Sequence, residues 1–158
     1  MNESDFNKLI KKDKYQVFLC KTPANTLLRF IIHTYFITNS KGKIKRWEIL
    51  YLRNICKNSW SHLHLNYLKP WQGFVKSFFS RNGPRFSGQI MSKVEERSAI
   101  KIIKFIEKSP QIYKFNNYYL AYPGPNSNTF TQWIIDHFPE FGLKLPWNAV
   151  GKNYSPMA

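Results

Sequence analysis

Ser127 lies in YPGPNSNTF, residues 122–130, directly ahead of a stretch with helical periodicity. A serine hydroxyl attacks a carbonyl only when a base takes its proton, and that base usually needs a third group to hold its tautomer. A serine at a helix start has a second asset. Backbone N–H groups there are unpaired and carry partial positive charge, so they can hold an oxyanion that develops beside the side chain. Pro123, Gly124 and Pro125 set the approach, and Asn126 and Asn128 are placed to satisfy or support these donors. The candidate base is His33, in the apolar run IIHTYFI, and the candidate orienting group is Glu48, in RWEIL.

These side chains can meet only if particular elements carry them. Residues 15–20, 29–38 and 44–52 are rich in β-branched and aromatic types and read as strands. Asn39-Ser40-Lys41-Gly42 has the residues of a type I turn, which makes the second and third strands a hairpin. If that hairpin closes symmetrically about Ser40 and Lys41, paired numbers sum to 81 and His33 faces Glu48. A bulge at Gly42 would raise the sum to 82 and put the two residues on opposite faces. Ser92 with Glu95 three residues on reads as a capping box, predicting a helix over 92–108 that buries Ala99, Ile102, Ile103 and Ile106 and stops before Pro110. Residues 117–121 are a strand candidate, and a second helix is expected from Asn128 or Thr129 to Phe138. Residues 57–87 read as a loop-rich, basic and aromatic insertion.

Each candidate also has a plain structural reading. Asn, Ser and Thr in a row before a helix are a common cap. A lone His in an apolar strand is usually buried and hydrogen-bonded, and Glu48 could simply pair with Arg46 or Arg53. His62 and His64 alternate with leucines and could share a strand face, but no third metal ligand is near in sequence, so no metal is expected. Cys20 and Cys56 have no CxxC spacing and are expected as buried, reduced thiols.

The 158 residues suffice for one domain with its own core, and 17% aromatic content points to a globular chain. Twenty-four Lys and Arg against nine Asp and Glu give +15. Ten of those bases, but only one acid, Glu48, fall within residues 41–85. Lys69, Lys76, Arg81 and Arg85 are the candidate anion-binding surface for an acidic protein, an anionic membrane or nucleic acid. No RRM, KH or helix-turn-helix signature supports nucleic acid. The N-terminus has no apolar leader, and the most apolar run, residues 27–37, is broken by Arg29 and His33. The expectation is a soluble, cytoplasmic chain, with export by a non-classical route as the alternative.

IIHTYFI, RWEIL, YPGPNSNTFTQWI and PEFGLKLPWNAVGKNY resemble the bacterial family catalogued as domain of unknown function 3750, over roughly residues 29–154. The ending departs from that family's GKDY-like motif at Asn153. More distantly, NSNTF is similar to the motif that opens a late helix in circularly permuted papain-like proteins, including NlpC-type hydrolases and lecithin:retinol acyltransferase relatives, with Ser127 in place of the cysteine. That resemblance implies an α+β domain, a small antiparallel sheet packed by two main helices, in a permuted papain-like architecture. It implies Ser127 as nucleophile, His33 as base and Glu48 as orienter, acting without a cofactor on an amide or ester carbonyl of a small-molecule, lipid or peptide substrate. The expectation is therefore a hydrolase or acyltransferase, with a non-catalytic module that binds through its basic surface as the rival.

Overall fold

Alternate residues of the N-terminal strands face opposite sides of one sheet, and both sides carry buried apolar residues, which sets the layers of the domain. The computed structural model describes residues 3–24, 30–51, 56–73 and 88–155. Within these, the chain runs α1 (Glu3–Leu9), β1 (Tyr15–Pro23), β2 (Ile32–Ser40), β3 (Lys43–Ile49), β4 (Ser59–Trp60), β5 (Leu63–Leu65), β6 (Gln89–Glu95), α2 (Glu96–Ile112), α3 (Ser127–His137) and a 3-10 turn at Pro139–Phe141. The strands form one antiparallel six-stranded sheet in the order β4-β5-β3-β2-β1-β6, so the fold is α+β.

Successive strand side chains point to opposite faces, and both faces of this sheet are covered. Val17, Leu19, Phe36, Trp47 and Ile49 meet the apolar stripe of α2 (Ala99, Ile102, Ile103, Ile106) and Phe130 and Ile134 of α3. Phe18, Cys20, Tyr35 and Ile37 make a smaller cluster under Phe6 of α1, with Trp71 packed against it. Trp60 stacks on Trp47 at 6.0 Å. The tryptophans at 60 and 71 thus pack against the body of the domain.

Four expectations are corrected. Ser92 caps no helix. Residues 89–95 instead add a strand beside β1, pairing Val94 with Val17 and Ser92 with Leu19, and the Ser92 hydroxyl donates to the Phe141 carbonyl at 2.8 Å. The ladder hydrogen bonds and the burial of Val94 outweigh a local cap. Pro110 does not stop α2, which continues to Ile112. The proline has no N–H to give the Ile106 carbonyl, but only two residues of helix follow it, and the Asn116 side chain donates to the Pro110 carbonyl at 2.9 Å. Residues 117–121 form no strand. Cys20 is buried as a free thiol, but Cys56 is exposed.

The β2–β3 hairpin adopts neither anticipated register. Ser40 pairs with Lys43 and Phe36 with Trp47, so paired numbers sum to 83. The loop is only Lys41-Gly42, with φ of 50° and 87°, the positive-φ pair of a primed turn whose twist matches the strands. Asn39 fixes it by accepting the Gly42 N–H at 2.7 Å. A shift of two from 81 preserves the side-chain face. His33 is therefore diagonal to Glu48 rather than opposite it, and both lie on the Tyr35 face, away from α2.

Candidate active site

Ser127 reaches this face because α3 starts one or two residues earlier than the expected Asn128 or Thr129. Asn126, not Ser127, is the N-cap: its side chain accepts the Asn128 N–H at 2.9 Å, while Thr129 returns a hydroxyl to the Asn126 N–H at 3.1 Å. The Ser127 hydroxyl is thereby released from capping. The C-terminal segment holds this helix start in place. Asn128 donates to the carbonyls of Ile32 and Val150 at 2.9 and 2.8 Å and accepts from Thr34 at 2.8 Å, and Thr129 donates to Gly151 at 2.6 Å. Gly151 has φ of 90°, and a Cβ there would run into the Asn126 amide, so only glycine fits. Gly124, with φ of 119°, is less crowded, a Cβ there lying 3.0 Å from both Thr129 and Tyr154.

The released hydroxyl lies 2.8 Å from His33 Nδ1, and His33 Nε2 lies 3.1 Å from Glu48 Oε2. A carboxylate only accepts, so Nε2 carries the proton and donates, and the bare Nδ1 accepts from Ser127. The imidazole also stacks on Tyr35 at 5.8 Å. Glu48 is 1% exposed. Burial pushes its carboxyl up, but the His33 hydrogen bond and the Arg46 charge together outweigh burial and hold it below the ordinary range. Among the described residues no acceptor takes the Ser127 N–H, whereas the Asn128 N–H is spent on Asn126. The donor open to an oxyanion is thus Ser127's own N–H at the first turn of α3, and the next N–H, that of Asn128, is closed.

Arg46 is the member of this group that sequence reasoning counted only as surface charge or as one of two possible partners for Glu48. It is 1% exposed, donates to Glu48 Oε2 at 2.7 Å and to the carbonyls of Lys69 and Gln72, and lies 3.8 Å above the Tyr35 ring. Alternate strand residues share a face, so the spacing of Arg46 and Glu48 was the available signal. Of the candidate anion surface, Lys69 is exposed, while Lys76, Arg81 and Arg85, like Arg53, lie outside the described residues. Lys45 is paired with Glu107 at 2.6 Å, so at least two charges of the basic segment are already answered.

Ser127, His33, Arg46, Asn126 and Asn128 line one open cavity of about 880 Å3. His62 and His64 do not converge on a metal. His64 bonds Ser59 and the Leu50 carbonyl, His62 stacks on Tyr51, and no group of three or more His, Cys, Asp or Glu able to hold a metal occurs among the described residues. No helix among them is long and apolar enough to cross a membrane.

A family model described as "Protein of unknown function (DUF3750)" matches residues 13–154. The chain belongs to that family. The DUF3750 match begins well before residue 29, so it takes in β1 as well as the His33 strand, the basic middle, the NSNTF helix start and the segment that braces it. No curated protein and no solved structure matches this DUF3750 chain.

Proposed function

We propose that the protein is a hydrolase or acyltransferase acting at an amide or ester carbonyl, with Ser127 as nucleophile, His33 as base and Glu48 as orienter. The observation that carries this reading is the contact chain Ser127 Oγ to His33 Nδ1 at 2.8 Å and His33 Nε2 to Glu48 Oε2 at 3.1 Å, opening into a cavity.

In the reaction, His33 Nδ1 takes the Ser127 proton as Oγ bonds the carbonyl carbon. The Ser127 N–H faces the oxyanion, and Glu48 steadies the imidazolium. The imidazolium returns its proton to the departing amine or alkoxide, leaving an acyl-serine. Water, or an acceptor hydroxyl or amine, then gives its proton to His33 and attacks the acyl carbon, which frees Oγ. A permuted papain-like architecture is part of the proposal. It is supported by the order of the parts, His on β2, the carboxylate on β3 and the nucleophile at the start of the late helix α3.

Fluorophosphonate labelling with the adduct mapped by mass spectrometry tests the reading. An adduct on Ser127 that disappears in His33→Ala is expected. A folded wild-type protein with no adduct on Ser127, and no turnover of activated esters, would end it. The non-catalytic rival rests on the +15 net charge. It would be favoured if charge reversal at Lys69 abolished a salt-sensitive association that Ser127→Ala left intact.

A further inference from the structure

The walls of the cavity at Ser127 differ in kind from its catalytic edge. Phe30, Ile32, Leu50, Tyr51, Leu68 and Tyr119 line it, with the exposed ring of Tyr122 at its mouth. Its polar lining is largely committed elsewhere. Arg46 is the one permanently charged lining residue among those described; it is ion-paired with Glu48, its two terminal nitrogens are held by Glu48 and by the carbonyls of Lys69 and Gln72, and only Nε is left without an acceptor among the described residues. The amide of Asn126 is engaged with Ala121 and Asn128, and that of Asn128 with Ile32, Val150 and Thr34. A substrate group that carried a carboxylate or an ammonium into this space would lose its water and, among the described residues, meet no unpaired ion of opposite charge, which is strongly unfavourable. An uncharged chain would instead gain from every buried methylene. The volume, about 880 Å3, is of the order that encloses a small organic ligand.

Resting on the Ser127 reading, we propose that the cavity is an acyl site: the group transferred to Ser127 Oγ is an uncharged aliphatic or aromatic acyl group of medium length or longer, and not a charged aminoacyl or peptidyl group. The donor is an ester or thioester of such an acid. Carbonyl attack places the carbonyl at Ser127 and directs the chain toward Leu50 and Leu68, while the alcohol or thiol leaves through the mouth beside Tyr122.

The test is a p-nitrophenyl ester series (acetate, butyrate, octanoate, laurate and the succinate monoester) run on the full chain beside mapped fluorophosphonate labelling. Octanoate is expected to exceed acetate in kcat/KM by about 100-fold or more, since each buried methylene contributes up to about fourfold, and the succinate monoester should be the poorest four-carbon substrate. Leu68→Trp should move the optimum to a shorter chain. Labelling of Ser127 together with equal use of acetate and octanoate, or with preference for succinate, would overturn the acyl site and leave the serine reading standing. Should Ser127 prove unreactive, the uncharged octanamide titrated calorimetrically into the wild type and into Leu68→Arg decides the matter: saturable binding weakened about tenfold in the variant supports the site, and no saturable binding removes it. Laurate release from dilauroyl phosphatidylglycerol vesicles, compared with release from a soluble lauroyl thioester, separates a lipid donor from a soluble one. Either release supports the site.

Discussion

Two serine–histidine contacts among the described residues can be set side by side, and of these two only one has what acyl chemistry requires. At the edge of the sheet, Ser59 of β4 lies 2.6 Å from Nδ1 of the buried His64 of β5, whose Nε2–H points to the Leu50 carbonyl at 3.3 Å. The heavy-atom geometry is as good as that of Ser127 with His33. The surroundings are not. The third partner of His64 is a neutral carbonyl where His33 has a carboxylate. The Ser59 N–H is already given to the Cys56 carbonyl, and Ser59 does not line the cavity that holds Ser127. A short serine–histidine distance by itself marks a hydrogen bond. What singles out Ser127 is the combination of a buried anion behind the base, an unspent N–H and space for a substrate.

The largest effect that can break this comparison is on turnover. Ser127→Ala or His33→Ala should lower ester hydrolysis by on the order of 10^4-fold or more, as loss of a nucleophile or base does in enzymes of this chemistry, whereas Ser59→Ala should leave it within about twofold. Loss of activity in Ser59→Ala alone, read by the same assay, would reverse the assignment of the two pairs.

Next in size is the buried ion pair. Glu48→Gln removes the counter-charge of an Arg46 that is itself 1% exposed, so it should cost roughly 3–5 kcal/mol in denaturant unfolding. It should also cost about 100-fold or more in activity through the lost orienting charge. A variant that unfolded like the wild type would show that Arg46 does not depend on Glu48. Ser127→Ala, which breaks no cap, should change stability by under about 1 kcal/mol, so the two losses separate catalysis from folding.

Acid sharpens the comparison, because the two histidine sites fail in different windows. The Glu48 carboxyl is held below its usual value of 4.5, so the unfolded chain takes up its proton first. Its contribution is whole above about pH 4.5 and is lost as pH falls toward the lower folded value. Burial holds His64 below its usual 6.5, and the Leu50 carbonyl offsets this only in part. Its contribution is therefore whole above about pH 6.5 and declines below it. Thermal unfolding from pH 8 to pH 3 should show a first decline that is absent in His64→Gln and a second that is smaller in Glu48→Gln. A single decline untouched by either substitution would refute both assignments.

A smaller effect than that of the ion pair belongs to the edge pair itself. Ser59→Ala leaves His64 Nδ1 without its donor in a buried position and should cost about 1–2 kcal/mol in urea unfolding. A larger loss would mean that this pair also holds β4 to β5.

Legibility in the sequence followed the range of the interaction. β1, β2 and β3 could be read from β-branched and aromatic runs, and α3 from its apolar stripe, because propensity and periodicity act over a few residues. Ser92 misled for the same reason: a capping box is local evidence, and strand pairing with β1 across more than seventy residues of chain prevailed over it. α1 carries one buried residue, Phe6, too little for a periodic signal. In the site, the residue types of Ser127, His33 and Glu48 and the cap-like setting of NSNTF were present in the sequence alone. That Asn126 takes the capping role and frees the serine depends on where the helix begins, which the C-terminal segment helps to set through Val150 and Gly151.

The amino-acid sequence by itself determined which chemical groups exist here, which short runs become strands or helix, and that a tight turn joins β2 to β3. Only the tertiary structure decided that Ser127 meets His33 across 94 positions of sequence, that the hairpin sum is 83 so that Glu48 keeps to the face of His33, and that Arg46 is buried behind that carboxylate rather than displayed to solvent. The physical reason is that local preferences are worth fractions of a kcal/mol per residue, while register, burial and the pairing of charges are settled by contacts between segments that the sequence order keeps far apart.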